Sequence, residues 1–312
     1  MMEMGRANLE VFADTLLELA LQDRDVLVVT SDSRGSGKLT RFGEVLPDQI
    51  IELGIAEQNV VGVSAGLASA GKKVFAVSPA CFLTARAFEQ IKNDVAYSNQ
   101  PVRLIGISAG VSYGALGATH HSLHDFAGLR AIANLSIVAP ADNFETRETI
   151  RAIYQAPHPV YVRLGKAPQP HLHEAGDVFT IGTAALIHEG RDLTLIACGE
   201  TAPVALAAAH LLAEDGLGCR VISMHSLKPL DATAVLDAAR ETRAMITVEE
   251  HSIHGGLGEA CAALLLQHGA SLPFKIVGFP DENLVSGSQK EIFNHYGISA
   301  GGLAALARNL LA

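Results

Sequence analysis

Short runs of β-branched and other apolar residues recur along this chain, separated by helical stretches, and this alternation predicts parallel sheets with crossover helices. The first set of strands is expected at Val26 to Val29, Gln49 to Leu53, Lys73 to Val77, Val102 to Ile107, Ser136 to Val138 and Val160 to Arg163. A polar, proline-interrupted stretch, Ala167 to Glu174, reads as a linker. A second α/β unit follows, with strands near Leu193 to Ala197, Arg220 to Ser223, Met245 to Val248 and Lys275 to Val277. The fold class is therefore α/β, two consecutive domains with mainly parallel sheets, divided near residue 175 into 1–174 and 175–312.

Composition narrows the classes without choosing among them. A chain of 312 residues is too long for one small core and suits two domains of ordinary size. Its 49% hydrophobic content and 29 glycines fit a packed α/β protein with tight turns and exclude a disordered one. The formal net charge of −10 argues against a nucleic-acid partner, because counterion-release binding needs clustered Lys and Arg. An anionic substrate then requires a locally basic pocket. Cys81, Cys198, Cys219 and Cys261 show no CxxC or zinc-like spacing, so buried free thiols and a reducing cytoplasm are expected. Met1 to Leu9 lacks a basic region followed by an apolar one, and no uncharged apolar run of about twenty residues occurs, so neither a signal peptide nor a membrane span is expected.

The candidate chemistry begins at Gly54-Ile55-Ala56-Glu57-Gln58-Asn59, between the strand-like run ending at Leu53 and a helix of small residues. Glu57 is thus placed at a strand-to-helix junction, at the sheet edge where open α/β folds bind ligands. A glutamate at this point is also what a helix N-terminus favours. Gly62, Ala65, Gly66 and Ala68 behind it permit close backbone approach to a ligand, and serve plain helix-on-sheet packing equally well.

Further blocks follow in order: Ser78-Pro79-Ala80-Cys81-Phe82-Leu83-Thr84-Ala85-Arg86-Ala87-Phe88-Glu89-Gln90-Ile91, then Gly117-Ala118-Thr119-His120-His121, then Tyr161-Val162-Arg163-Leu164-Gly165. Together with Glu57 they resemble the pyrimidine-binding half of transketolases. The same order appears in 1-deoxyxylulose-5-phosphate synthases and, more loosely, in β subunits of 2-oxoacid dehydrogenases. Val221 to Asp231, and Thr247-Val248-Glu249-Glu250-His251 leading into Gly255-Gly256-Leu257-Gly258, resemble the C-terminal domain of those enzymes. The Gly255 to Gly258 run lacks the spacing of a dinucleotide or phosphate-loop fingerprint and reads as the turn that starts a helix, with His251 and His254 ordering it or a subunit contact.

The resemblance implies thiamine diphosphate as cofactor, with Glu57 sharing a proton with N1′ of the aminopyrimidine. Phe82 is the residue expected to stack on that ring, although an ungapped alignment places Leu83 there, and Phe88 is expected in the core. Arg86 is expected to face the same cleft, or to sit on the surface paired with Glu89 or Glu10. Asp32 matches a position near the pyrimidine and Ser36 a phosphate contact, within a loop, Thr30 to Lys38, that also reads as a flexible strand-to-helix connection. His120 matches a histidine that reaches sugar hydroxyls or the ketose carbonyl oxygen, approached by the glycine-rich Tyr113 to Thr119. His120, His121, His124 and Asp125 also suit a metal site, but the resemblance accounts for His120 without one. Arg163, ending a strand, is expected to clamp a substrate phosphate with its planar fork. Leu116 stands where many transketolases carry an acidic residue, a departure that puts the usual sugar specificity in doubt.

The diphosphate-binding half of such enzymes carries a GDG block and a later Asn that hold Mg²⁺ and diphosphate, and this chain has no GDG. The expectation is a split transketolase, a transferase active only with a separate N-terminal subunit of about 270 to 300 residues that supplies the Mg²⁺ ligands. A two-fold α2β2 assembly acting on sugar phosphates is implied. The rival readings are a 2-oxoacid dehydrogenase β subunit or 1-deoxyxylulose-5-phosphate synthase-like chain, and a noncatalytic scaffold or regulatory paralogue.

Overall fold

A computed structural model describes residues 3–174 and 176–312, and Ala175, the expected first residue of the second domain, lies outside them. Among the described residues the strands, in chain order, are β1 (Met4–Ala7), β2 (Val26–Thr30), β3 (Ile50–Glu52), β4 (Lys73–Pro79), β5 (Arg103–Ile107), β6 (Ser136–Val138), β7 (Val160–Arg163), β8 (Pro168–Pro170), β9 (Ala185–His188), β10 (Leu193–Ala197), β11 (Cys219–Ser223), β12 (Ser226–Lys228), β13 (Ala244–Ser252) and β14 (Phe274–Phe279). The protein is two consecutive α/β domains with mainly parallel sheets.

The first sheet has the order β12-β6-β7-β5-β4-β2-β3 and is parallel apart from β12. Its central strands are buried on both faces, which is why they read as unbroken apolar runs. The chain leaves β2 toward β3 on one side and leaves β4 toward β5 on the other, so the loops after the adjacent strands β2 and β4 diverge and open a crevice at the carboxyl edge. Helix Glu57–Ser69 follows β3, and helix Ala80–Arg86 follows β4, running through Phe88–Gln90 into a π-helical segment, Ile91–Tyr97. The second sheet has the order β14-β13-β10-β11-β9, with only β9 antiparallel.

Two pairings in particular depart from the sequence reading. The supposed linker is partly a strand: Pro168–Pro170 pairs antiparallel with Met4–Ala7 and Gln169 is buried. Prolines suit this two-stranded edge, where a missing N–H is tolerated. The other is β12, which leaves the second domain and pairs with β6, Ser226 opposite Val138, so it completes the first sheet. One apolar cluster accordingly joins both domains, from Val29, Leu104 and Tyr161 through Ile196 to Met224 and Leu257. Phe88, expected in the core, is 37% exposed, and all four cysteines are free and buried. No described helix is long and apolar enough to cross a membrane.

Candidate active site

Glu57 is the first residue of its helix, following Ala56 in a non-helical conformation, so the free N–H groups and dipole of that helix end favour its negative charge. Its side chain is 2% exposed and accepts a hydrogen bond on Oε2 from Arg86 Nη1 at 2.9 Å. Among the described residues, Oε1 has no hydrogen-bond donor. A cleft of 540 Å³ lies along Ile55, Ala56, Glu57, Gln58, Asn59 and Arg86.

Phe82 is half-buried on the first turn after β4, while Leu83 is fully buried in the core, so of the two only Phe82 has a side chain open to the crevice. The Arg86 guanidinium lies 4.4 Å from the centre of the Phe82 ring, so Arg86 bridges the ring and Glu57 and is paired with neither Glu89 nor Glu10. On its other side Phe82 meets His120 edge-on, with ring centres 5.3 Å apart. His120 in turn packs edge-on against Tyr113 at 5.4 Å, and Lys166 Nζ lies 4.7 Å from the Tyr113 ring centre. A continuous line of contacts thus runs from a buried carboxylate to an exposed ammonium along one sheet edge.

His120 Nδ1 is 2.9 Å from the Thr119 hydroxyl, which leaves Nε2 for another partner. The neighbouring histidine is engaged elsewhere, with His121 Nε2 on Gly114 O at 2.9 Å. Asp32 and Ser36 both lie on the exposed loop after β2, and the Ser36 hydroxyl donates to Ser33 O at 3.1 Å. Inside that loop, Ser31 Oγ is 3.0 Å from both Ser33 Oγ and Ser78 Oγ, tying the ends of β2 and β4 together. Burial pushes the Tyr113 phenol up from its usual range, against the pull of the Ser108 and Ser36 hydroxyls.

Arg163 does not face the crevice. It is 6% exposed, donates to Asp125 Oδ2 at 2.9 Å, to Ser122 O at 3.1 Å and to Glu250 O at 2.6 Å, and lies 3.9 Å from the Glu250 carboxylate. Nε and Nη2 are thus engaged between the two domains, and only Nη1, which makes no hydrogen bond, is left for the phosphate contact expected of this side chain. An exposed cation stands at the Tyr113 end of this line, Lys166, to which the sequence analysis gives no role because it lies at the mouth of the supposed linker. The available signal was a lysine just past Gly165, at the carboxyl end of a central strand. Tyr113 was likewise read only as part of a glycine-rich approach. In the second domain, Gly256 caps helix Leu257–Gln267 and Glu249 accepts from Leu257 N and Gly258 N, as the turn reading expected. His251 is buried against Phe126 beside that turn, whereas His254 is exposed near Glu259.

Residues 5–169 match the family description "Transketolase, pyrimidine binding domain" and residues 182–303 match "Transketolase, C-terminal domain". This chain belongs to the transketolase family. It is 50% identical over 297 residues to an apulose-4-phosphate transketolase subunit of Phocaeicola vulgatus, covering 95% of each chain. It is also 36% identical over 272 residues to the 6-deoxy-6-sulfo-D-fructose transketolase subunit SqwH of a Clostridium species, covering 87% of this chain and 84% of that one. Among solved structures it is similar to "Split gene transketolase, inactive beta4 tetramer", with TM-score 0.90, 33% identity and coverage of 98% and 99%.

Transketolases depend on thiamine diphosphate, and the described residues fit the pyrimidine end of that cofactor. Glu57 offers one unengaged carboxylate oxygen in a shielded place, and Phe82 offers a half-exposed aromatic face beside it. No group of three His, Cys, Asp or Glu among the described residues is arranged to hold a metal ion.

Proposed function

We propose that this transketolase chain is the pyrimidine-binding and C-terminal subunit of a split enzyme that moves a two-carbon ketol unit from a ketose phosphate to an aldose phosphate. The observation that carries the reading is the continuous line Glu57, Arg86, Phe82, His120, Tyr113, Lys166 along one sheet edge. It joins a residue suited to the cofactor's ring to a residue suited to an anionic tail. The relatives' names specify a phosphate on one sugar and a sulfo group on another, and apulose 4-phosphate is the first donor to test.

Thiamine diphosphate, when bound, supplies the electron sink that lets the bond beside a ketone carbonyl break. Glu57 holds a proton at N1′ of the pyrimidine, shielded so that the proton is shared with the ring and not with solvent. Phe82 provides the apolar face for that ring, with Asp32 and Arg86 at its edge. His120, its Nδ1 side engaged by Thr119, presents Nε2 to a sugar hydroxyl or the ketose carbonyl oxygen. Lys166 and Ser36 take the anionic tail. The Mg²⁺ ligands and the diphosphate grip belong to the partner subunit, in an α2β2 assembly in the cytoplasm.

Isothermal titration of thiamine diphosphate with Mg²⁺, into this chain alone and into the chain mixed with a diphosphate-binding subunit, tests the reading. Tight binding only in the mixture is expected. Binding to neither would replace it with a scaffold or regulatory role.

A further inference from the structure

Two loops that carry the rim rest on carboxylates of the second domain. Gly110, with φ +60°, begins the turn that leads to Tyr113, and a Cβ at Gly110 would lie 2.2 Å from Glu250 Cδ. Gly165 immediately precedes Lys166, and a Cβ there would lie 2.0 Å from Glu200 Oε1. Each glycine therefore leaves a space that one carboxylate fills. Glu250 Oε1 also accepts from Val111 N at 2.9 Å, and Gln289 Nε2 donates to both acids, to Glu250 Oε1 at 2.9 Å and to Glu200 Oε2 at 3.1 Å. The backbone beside Gln289 takes part as well, since Gly287 O lies 2.9 Å from where a Gly114 Cβ would stand.

We propose that Glu200, Glu250 and Gln289 act together as positioning residues, setting the Tyr113 and Lys166 loops at the spacing that holds the anionic tail of the substrate. The proposal rests on the reading of Tyr113 and Lys166 as the tail site. Its physical basis is a charge count. Glu200 and Glu250 are buried and share one amide, and the cation nearest to them, Arg163, is already hydrogen-bonded to Asp125. Two ionised carboxylates in that space repel, whereas one protonated acid and one carboxylate fit the shared donor. The groups facing Glu200 are Glu250 on β13, Gln289 on helix Gln289–His295, Gln169 on β8 and Arg163 at the end of β7, with Asp125 beyond. Burial first, then the charge of Glu250, holds Glu200 up to about 8. Below that pH the clamp is closed; above it the second negative charge pushes the two loops off their seats.

The test uses the full chain and its complex with the diphosphate-binding subunit. Amide hydrogen exchange of segments 109–116 and 164–167, corrected for intrinsic rate, is followed from pH 6.5 to 9. In the complex, KM and kcat for a phosphorylated and an unphosphorylated ketose are followed over the same range. In the native protein, protection of both segments falls above about pH 8, and KM for the phosphorylated ketose rises there several-fold more than kcat changes. Glu200→Gln, an amide copy of the protonated acid, makes both profiles flat. Gln289→Ala, at a half-buried helix start, loosens both segments already at neutral pH. Exchange profiles of Glu200→Gln and Gln289→Ala that match the native one overturn the clamp whatever the substrate. Exchange that responds as stated, with KM for the two ketoses moving equally, refutes the tail-site reading on which the proposal rests.

Discussion

Arg86 donates to Glu57 at 2.9 Å from a side chain that is 49% exposed, while the carboxylate it meets is 2% exposed. The pair is therefore asymmetric: water solvates the cation, and the acid depends on its partner and on the helix end. Removing Arg86 leaves a buried carboxylate less compensated, at a cost on the order of 1 kcal/mol given the half-exposed partner. Arg86→Ala is expected to lower the unfolding free energy by that amount in urea titration. The Glu57→Gln, Arg86→Ala double variant should recover most of it, because the neutral amide no longer needs the cation. Additive losses in the double variant would mean that the two side chains act independently.

For Glu57 itself, the functional reading demands more than a helix-capping charge. Glu57→Gln keeps the size of the side chain and one acceptor oxygen for Arg86 but cannot share a proton with N1′. Proton exchange at C2 of thiamine diphosphate, followed by NMR in the assembled complex, should be abolished with assembly intact. Exchange at the native rate would reduce Glu57 to a structural residue.

In the proposed function Lys166 takes the phosphate-binding role that the sequence suggested for Arg163, which is buried among acids of both domains. Lys166→Ala should raise KM for phosphorylated substrates by about 1.5 to 3 kcal/mol, the scale of a lost charged hydrogen bond, and spare unphosphorylated sugars. Arg163→Ala strands Asp125 and Glu250 without their shared cation and should destabilise the fold by roughly 3 to 5 kcal/mol. A variant that folds as well as the native chain and loses only phosphate affinity would restore Arg163 to the substrate.

The contrast between these two cations shows what was legible beforehand. The central strands β2, β4, β5, β7, β10 and β11 were visible because burial on both faces demands unbroken apolar runs. Glu57, Phe82 and His120 were visible because short blocks fix them beside strand ends. The partners of Arg163 were not legible, because strand position says where a side chain starts and not which buried acids lie within its reach. Asp125 and Glu250 come from elements 38 and 87 residues away in sequence. Strands β1, β8, β9 and β12 were missed for a related reason: each is short, and its pairing partner lies in a distant segment that no local pattern reveals.

The same buried acids give the stability of the chain a particular pH dependence. Burial holds Glu200 up to about 8, and burial likewise holds Glu145 and Glu249 up to about 7, each from an ordinary value of 4.5. Between the unfolded and folded values the unfolded chain has released these protons and the native chain retains them, so stability falls as pH rises, by about 1.4 kcal/mol per pH unit for each group. Two buried histidines oppose this at lower pH. Burial pushes His225 and His251 down to about 4, so they favour the fold increasingly as pH rises toward 6.5 and contribute no slope beyond it. The clean window is thus pH 6.5 to 8. Unfolding free energies from urea titrations of the native chain should decline steadily across it, and Glu200→Gln should show a shallower decline that levels near pH 7. A native profile that is flat or rising between pH 6.5 and 8 would mean that these carboxylates are already ionised in the folded chain.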